Sequence, residues 1–423
     1  MAGKAVKVKL PLWVGLRMLR HAAMPKVYLD HQASTPVLPE VVEAMRPWFS
    51  ETYGSPSSLH QHGLRARDAL QKAREQIAAM INAESPEDII FTSGATESAN
   101  LAVKGTAFAN QRRGKHIVLT AIEHPSVMNS VEFLQSLGFS STVVKVDTNG
   151  FVDPGVLAQA LRDETILVCI QHANHDIGTI QPVRKITKAA AERSIPVFVD
   201  ASSSGGWLPI DVQQMGAGLL SLAPHRFYGP KGVGVLNRNR RARLTPLIHG
   251  GVQEGNRRAG TENVPGIVGA GAAAEVAVRE LDRRASHVRK LQEKLWTRLQ
   301  KNIPHIKLNG PPPGGSRLGT NLNISIEFVE GEGIALMADV QGIALASGAA
   351  CVSKALKVSP VLTAIGLEHS LAQGNVILSL GKDNTEAEMD QVAESLPKIV
   401  ERLRSMSPMW DDFQKGKVKS VIR

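Results

Sequence analysis

The residues best suited to chemistry fall in a few short stretches of this 423-residue chain. Thr92-Ser93-Gly94-Ala95-Thr96-Glu97 follows an apolar run, Ile89-Ile90-Phe91, that reads as a strand. A glycine turn opening into a helix leaves free amides that can hold a phosphate. An ordinary helix cap by Ser93 or Thr96 is the competing reading. Val197-Phe198-Val199-Asp200 puts an acid at the end of a buried strand, where an α/β sheet presents groups to ligands. A carboxylate there can pair with a protonated ring nitrogen or simply cap a helix. Ala223-Pro224-His225-Arg226-Phe227-Tyr228-Gly229-Pro230-Lys231-Gly232 is a polar, rigid loop. Ser347-Gly348-Ala349-Ala350-Cys351 carries one of the two cysteines among small residues. Such a cysteine is either an accessible thiolate nucleophile or a small buried hydrophobe.

The elements that must position these groups alternate between strand and helix. Short β-branched runs at His116–Thr120, Ser141–Val146, Ile166–Ile170 and Pro196–Val199 read as buried parallel strands. The spacing predicts helices over Asp68–Ile81 and, as one long amphipathic element, over Ala274–Gln300. A Pro/Gly-rich break at Asn309–Ser316 precedes a strand at Asn321–Ile326 and further helices. This order indicates an α/β fold with a mainly parallel sheet. The organisation it suggests is a basic extension (1–26), a segment joining the small domain (27–45), a large α/β domain (46–285), a smaller C-terminal α/β domain (286–412) and a basic tail (413–423).

Composition narrows the class. The chain is 43% hydrophobic and 21% charged, which excludes a disordered protein. No apolar run is long enough for a spanning helix, and two cysteines make no disulfide framework. The net charge of +10 sits entirely in residues 1–29 and 413–423, which contain no acid. Such tails suit an anionic partner such as RNA, a membrane surface or an acidic protein, or serve as solubilising extensions. The N-terminal stretch is basic and acid-free around Pro11–Leu16, which fits an organelle-import sequence and a mitochondrial location; the alternative is a cytoplasmic one.

Taken together, the motifs resemble the cysteine desulfurase family, within the class V aminotransferase group of fold-type-I pyridoxal-phosphate enzymes. The resemblance runs from Val27 to about Val400. It implies a large domain with a mainly parallel seven-stranded sheet plus a smaller C-terminal α/β domain. By that resemblance Ala95 and Thr96 belong to the phosphate loop, and His124 stacks on the cofactor ring. Asn174 touches the pyridoxal oxygen, Asp200 holds the pyridine nitrogen, and His225 flanks the lysine position. Thr261 reaches the partner subunit's phosphate, and Cys351 carries the persulfide.

The sequence also departs from the family pattern. Arg226 stands where the family has its Schiff-base lysine, and Ala223 where it has a serine. Ser203 replaces a ring-oxygen glutamine, and Ile377 the substrate-carboxylate arginine. A guanidinium stays protonated and forms no imine. Lys231, the nearby alternative amine, matches a family lysine without that role. These losses lead to the expectation of a non-catalytic desulfurase-like protein with no cofactor, or with pyridoxal phosphate only if binding survives without the Schiff base, and with no metal. It would serve as a structural or assembly subunit, such as part of a mitoribosome, dimerising with itself or a desulfurase-like chain and reaching protein or RNA through its tails. The alternative is a desulfurase, or a sulfur-transfer and iron–sulfur assembly enzyme, using Cys351.

Overall fold

The computed structural model describes residues 26–348 and 358–422. Two sheets organise it. The first has seven strands: β2 (Ile89–Thr92), β3 (His116–Thr120), β4 (Ser140–Val144), β5 (Thr165–Gln171), β6 (Val197–Asp200), β7 (Leu219–Leu222) and β8 (Gly234–Arg238), in the order β2-β8-β7-β6-β5-β3-β4. From β4 to β7 all neighbours are parallel, and β5, β6 and β7 are buried throughout. That explains their continuous apolar runs. β8 is antiparallel to both β7 and β2. Only the 3₁₀ turn Pro224–Arg226 lies between β7 and β8, too little chain for a crossover helix. This is the expected fold-type-I architecture.

The second sheet has the order β1-β11-β12-β10-β9. β1 is Val27–Leu29, β9 Ile306–Leu308, β10 Asn321–Ile326, β11 Ile343–Ser347 and β12 Asn375–Ser379. Val27 pairs in parallel with Ile343, so the start of the body folds onto its C-terminal part.

The long helix spans Val264–Asn302 and begins ten residues before the predicted start at Ala274. Beyond Val264, Ile267 and Val268 its first turns are mostly Gly and Ala, which bury little apolar surface of their own. They are buried by close approach instead. A Cβ on Gly271 would stand 2.7 Å from Ala73 Cα, and one on Gly269 2.6 Å from Met45 Sδ. Asn263 caps the helix by accepting from Gly266 N at 3.2 Å. The helix Gln61–Ile81, which packs against it, also starts earlier than its pattern, at the cap His60. Arg74 binds Glu254 with two hydrogen bonds, 2.5 and 2.8 Å, and Glu254 also accepts from Phe91 N at 2.9 Å. This buried pair ties strand β2, and the turn that follows it, to the helix.

Part of the basic C-terminal tail is held on the body. Residues Pro408–Gln414 form a helix. Lys415 and Lys417 pair with Asp411 and Asp412, each at 3.1 Å. Val421 N donates to Glu327 at 2.7 Å, holding the tail on the body. Two of its four bases are therefore neutralised locally. Residues 1–25 and the predicted import features lie outside the described residues.

Candidate active site

The carboxyl ends of the parallel strands open onto one cavity of about 470 Å³, the place where an open α/β sheet binds ligands. Ser93–Glu97, His124, Asp200, His225, Arg226 and Lys231 all line it.

The turn after β2 is shaped by its neighbour in the sheet. A Cβ on Gly234 would stand 2.3 Å from the backbone of Gly94, so only glycine permits this approach. Glu97 folds back to accept from Ser93 N at 2.8 Å and is held by Arg258 Nε at 3.0 Å. The backbone amides of Ala95 and Thr96 have no acceptor among the described residues. Free donors at a helix start are suited to an anion.

His124 caps the helix Pro125–Ser136. Its Nδ1 accepts from Ser126 N at 3.1 Å, and its ring stands edge-on to His175 at 5.0 Å. Burial first, then the neighbouring His175, push its pKa down to about 4. It is therefore neutral at pH 7 and presents an uncharged flat ring to the cavity. Asp200 ends β6. Its Oδ1 accepts from Ser202 N at 3.0 Å and Ser221 Oγ at 2.9 Å, while Oδ2 has no hydrogen bond with the described residues. A fixed carboxylate with one oxygen available can receive a proton-bearing nitrogen.

The loop after β7 is anchored by its main chain. His225 O accepts from Thr35 N at 2.8 Å and Thr35 Oγ1 at 2.9 Å, and Arg226 O accepts from Trp207 Nε1 at 3.0 Å. Burial, then Arg226, push His225 down to about 4. Arg226 Nη1 donates to Ser203 Oγ at 2.8 Å. Residues 203 and 226 thus touch one another. Ala223 also lines the cavity. Lys231 is exposed and its Nζ lies 3.4 Å from Ser34 Oγ.

Some expected positions fall elsewhere. Asn174 is buried but does not line the cavity. Its Oδ1 accepts from Asp176 N and Ile177 N, each at 2.9 Å, and its Nδ2 donates to Ile122 O. Ile377 is buried in β12 opposite Asn323. Thr261 is exposed and outside the cavity. Cys351 lies outside the described residues. The chain resumes next to the site, where Ser359 Oγ bonds Asp176, the residue after His175. Sequence reasoning missed His175, Gln171 and Ser34 as cavity-lining groups. A signal existed for the first two, since both flank the His172-Ala173-Asn174 stretch at the end of β5.

Behind His124, Glu123 is fully enclosed. Its Oε1 accepts from Thr120 Oγ1 at 2.5 Å and Gln171 N at 3.1 Å, and Oε2 has no partner among the described residues. Burial is the main cause of a pKa raised from 4.5 to about 8. A carboxyl raised on folding favours the fold while protonated. Its contribution is complete below about 4.5 and is lost as pH rises through about 8. Glu123→Gln is therefore expected to hold its thermal midpoint across that window better than the native protein, as measured by unfolding scans at stepped pH. An equal decline in both proteins would refute a protonated Glu123.

With this geometry in place, comparison with known proteins is informative. The family described as Aminotransferase class-V matches residues 27–392. A "Cysteine desulfurase IscS" from Dictyoglomus turgidum is 45% identical over 392 residues, covering 93% of this chain and 99% of that protein. A "Probable cysteine desulfurase, mitochondrial" from Dictyostelium discoideum is 41% identical, covering 92% of this chain and 86% of the relative. Among solved structures, a "NIFS-LIKE PROTEIN" superposes with a TM-score of 0.84 at 36% identity, covering 90% of this chain and all of the other.

These relatives correct three expectations. The non-catalytic structural subunit is overturned, because proteins this similar over nearly the whole chain are named as desulfurase enzymes. The expectation of a non-enzyme falls with it. The expectation of no cofactor is overturned too, since the family is pyridoxal-phosphate dependent. Identity across the rest of the chain outweighs the four positions 203, 223, 226 and 377. Nothing in the comparisons supports a ribonucleoprotein, and the mitochondrial label belongs to the relative alone. The match over residues 27–392, the relatives' identities and the strand-end cavity agree: the chain belongs to the class V aminotransferase family, in its cysteine desulfurase branch.

Proposed function

We propose that this protein is a pyridoxal-phosphate-dependent cysteine desulfurase that delivers sulfur for transfer and iron–sulfur cluster assembly, with Cys351 as the carrier and Arg226 in the position of the family's Schiff-base lysine. The observation that carries the cofactor is the convergence of three groups on one cavity: the acceptor-free amides of Ala95 and Thr96, the neutral ring of His124, and the available Oδ2 of Asp200. These suit a phosphate, an aromatic face and a ring nitrogen respectively. Bound pyridoxal phosphate supplies an electron sink for bond changes at an amino acid's α-carbon.

The protein's own residues do the rest. Ser221 and Ser202 hold the Asp200 carboxylate in orientation. Ser126 fixes the His124 ring. Arg226 provides a permanent positive charge but no imine-forming amine, so attachment of the cofactor through this side chain is excluded and its retention rests on the non-covalent contacts. A homodimer is the expected assembly, with Thr261 on the exposed surface that a partner subunit would meet.

Removing the carboxylate tests the cofactor reading. Asp200→Ala is expected to weaken pyridoxal-phosphate binding about 10- to 100-fold, the range for a lost charge-assisted hydrogen bond. Equilibrium dialysis would measure it. Unchanged affinity in a folded variant would place the cofactor elsewhere.

A further inference from the structure

Arg226 is a cation without an ion-pair partner. No carboxylate lies within salt-bridge distance of it among the described residues; burial lowers its pKa, and the charges of Asp200 and Asp30 offset that only in part. One nitrogen, Nη1, is taken by Ser203 Oγ at 2.8 Å. Its Nε is buried and has no acceptor, and none of the described residues accepts from Nη2. A half-buried guanidinium with donors to spare calls for an anion.

Its position says where the anion comes from. Arg226 lines the main cavity beside Asp200 and also borders a smaller recess lined by His31, Gln32, Thr320 and Leu380. That recess lies where the seven-stranded sheet meets the segments following β1 and β12. Ile377, on β12, is buried, aliphatic and outside both spaces, so it contributes nothing to an anionic substrate.

We propose that Arg226 binds the carboxylate of the amino-acid substrate, placing the substrate's α-carbon next to the cofactor. Ser203 is its positioning residue: the short hydroxyl accepts one guanidinium nitrogen and leaves the remaining donors to the substrate. This inference rests on the reading that the cavity takes pyridoxal phosphate.

Two stable ligands separate the inference from that reading. Pyridoxine phosphate carries the ring and phosphate alone. Phosphopyridoxyl-alanine, a reduced secondary amine, adds an amino-acid carboxylate. Calorimetric titration of the full-length protein is expected to show about 10- to 100-fold tighter binding of the second ligand. Arg226→Gln should remove that preference while leaving pyridoxine phosphate affinity nearly unchanged. Ser203→Ala, which keeps the charge, should reduce the preference only in part. Equal affinity of the native protein for the two ligands would overturn the proposal while leaving the cofactor reading intact. So would an Arg226→Gln variant that weakens both ligands equally, since Arg226 would then be contacting the cofactor portion. Failure of pyridoxine phosphate itself to bind would remove the cofactor reading, and this inference with it.

Discussion

Arg226→Lys is expected to convert a non-covalently held cofactor into a covalently held one. The 226 side chain lines the same cavity as Asp200 and His124, and the main chain on either side is anchored by Thr35 and Trp207. A lysine there would place a primary amine where the native protein has a guanidinium. Its charge can be lost on burial, which a guanidinium's cannot. After pyridoxal phosphate is added, borohydride reduction followed by peptide mapping should find the cofactor on residue 226 of the variant and on no residue at that position in the native protein. The same amine can move a proton at the substrate's α-carbon, and a positioned acid–base group contributes about 10² to 10⁴ in rate. At saturating cysteine, sulfide release should rise by about 10²-fold, while loss of the guanidinium's contact with the substrate carboxylate should raise the KM for cysteine. A variant that folds and binds cofactor but shows no reducible linkage would mean that the 226 side chain does not face the reacting end of the cavity.

The second large effect concerns the sulfur carrier. Cys351→Ala is expected to abolish sulfur transfer to an acceptor thiol, a loss of about three powers of ten or more, as for removal of other essential nucleophiles. Mass spectrometry of the native protein after incubation with cysteine and pyridoxal phosphate should find one added sulfur atom on the Cys351 peptide. Cys169 gives the internal control. It lies in the centre of β5 with no exposure, and burial raises its thiol pKa well above the ordinary value, so it is unreactive. Sulfur found on Cys169, or undiminished transfer by Cys351→Ala, would contradict the assignment.

Much of the architecture was legible because the physics behind it is local. β5 and β6 are buried along their length and so appear as nearly continuous apolar runs; the turn at Gly94 and the acid ending β6 follow from strand-to-helix punctuation. The start of the long helix was not legible. Its first turns pack by smallness against Ala73 and Met45, and beyond Val264, Ile267 and Val268 the run of Gly and Ala carries little apolar signal. The pairing of Lys415 and Lys417 with Asp411 and Asp412 was not legible either: net charge counts lysines, but pairing is a matter of helix geometry.

The site was legible in part. His124, Asp200, Ala95 and Thr96 were identified and do converge. Asn174 was identified too, yet its hydrogen bonds turn inward to hold the bend that follows β5. The contact between Ser203 and Arg226 could not be read from spacing, because these residues lie on separate strand ends. That contact changes what the departures mean. Read one by one they look like losses; in the fold, two of them form a single hydrogen-bonded unit facing the cavity.

The most direct test of the central claim is sulfide release from cysteine by the purified protein reconstituted with pyridoxal phosphate, measured with and without the cofactor. The account predicts sulfide production that requires the cofactor and is lost in Asp200→Ala. No sulfide above the cofactor-only background, from protein shown to bind pyridoxal phosphate, would contradict it.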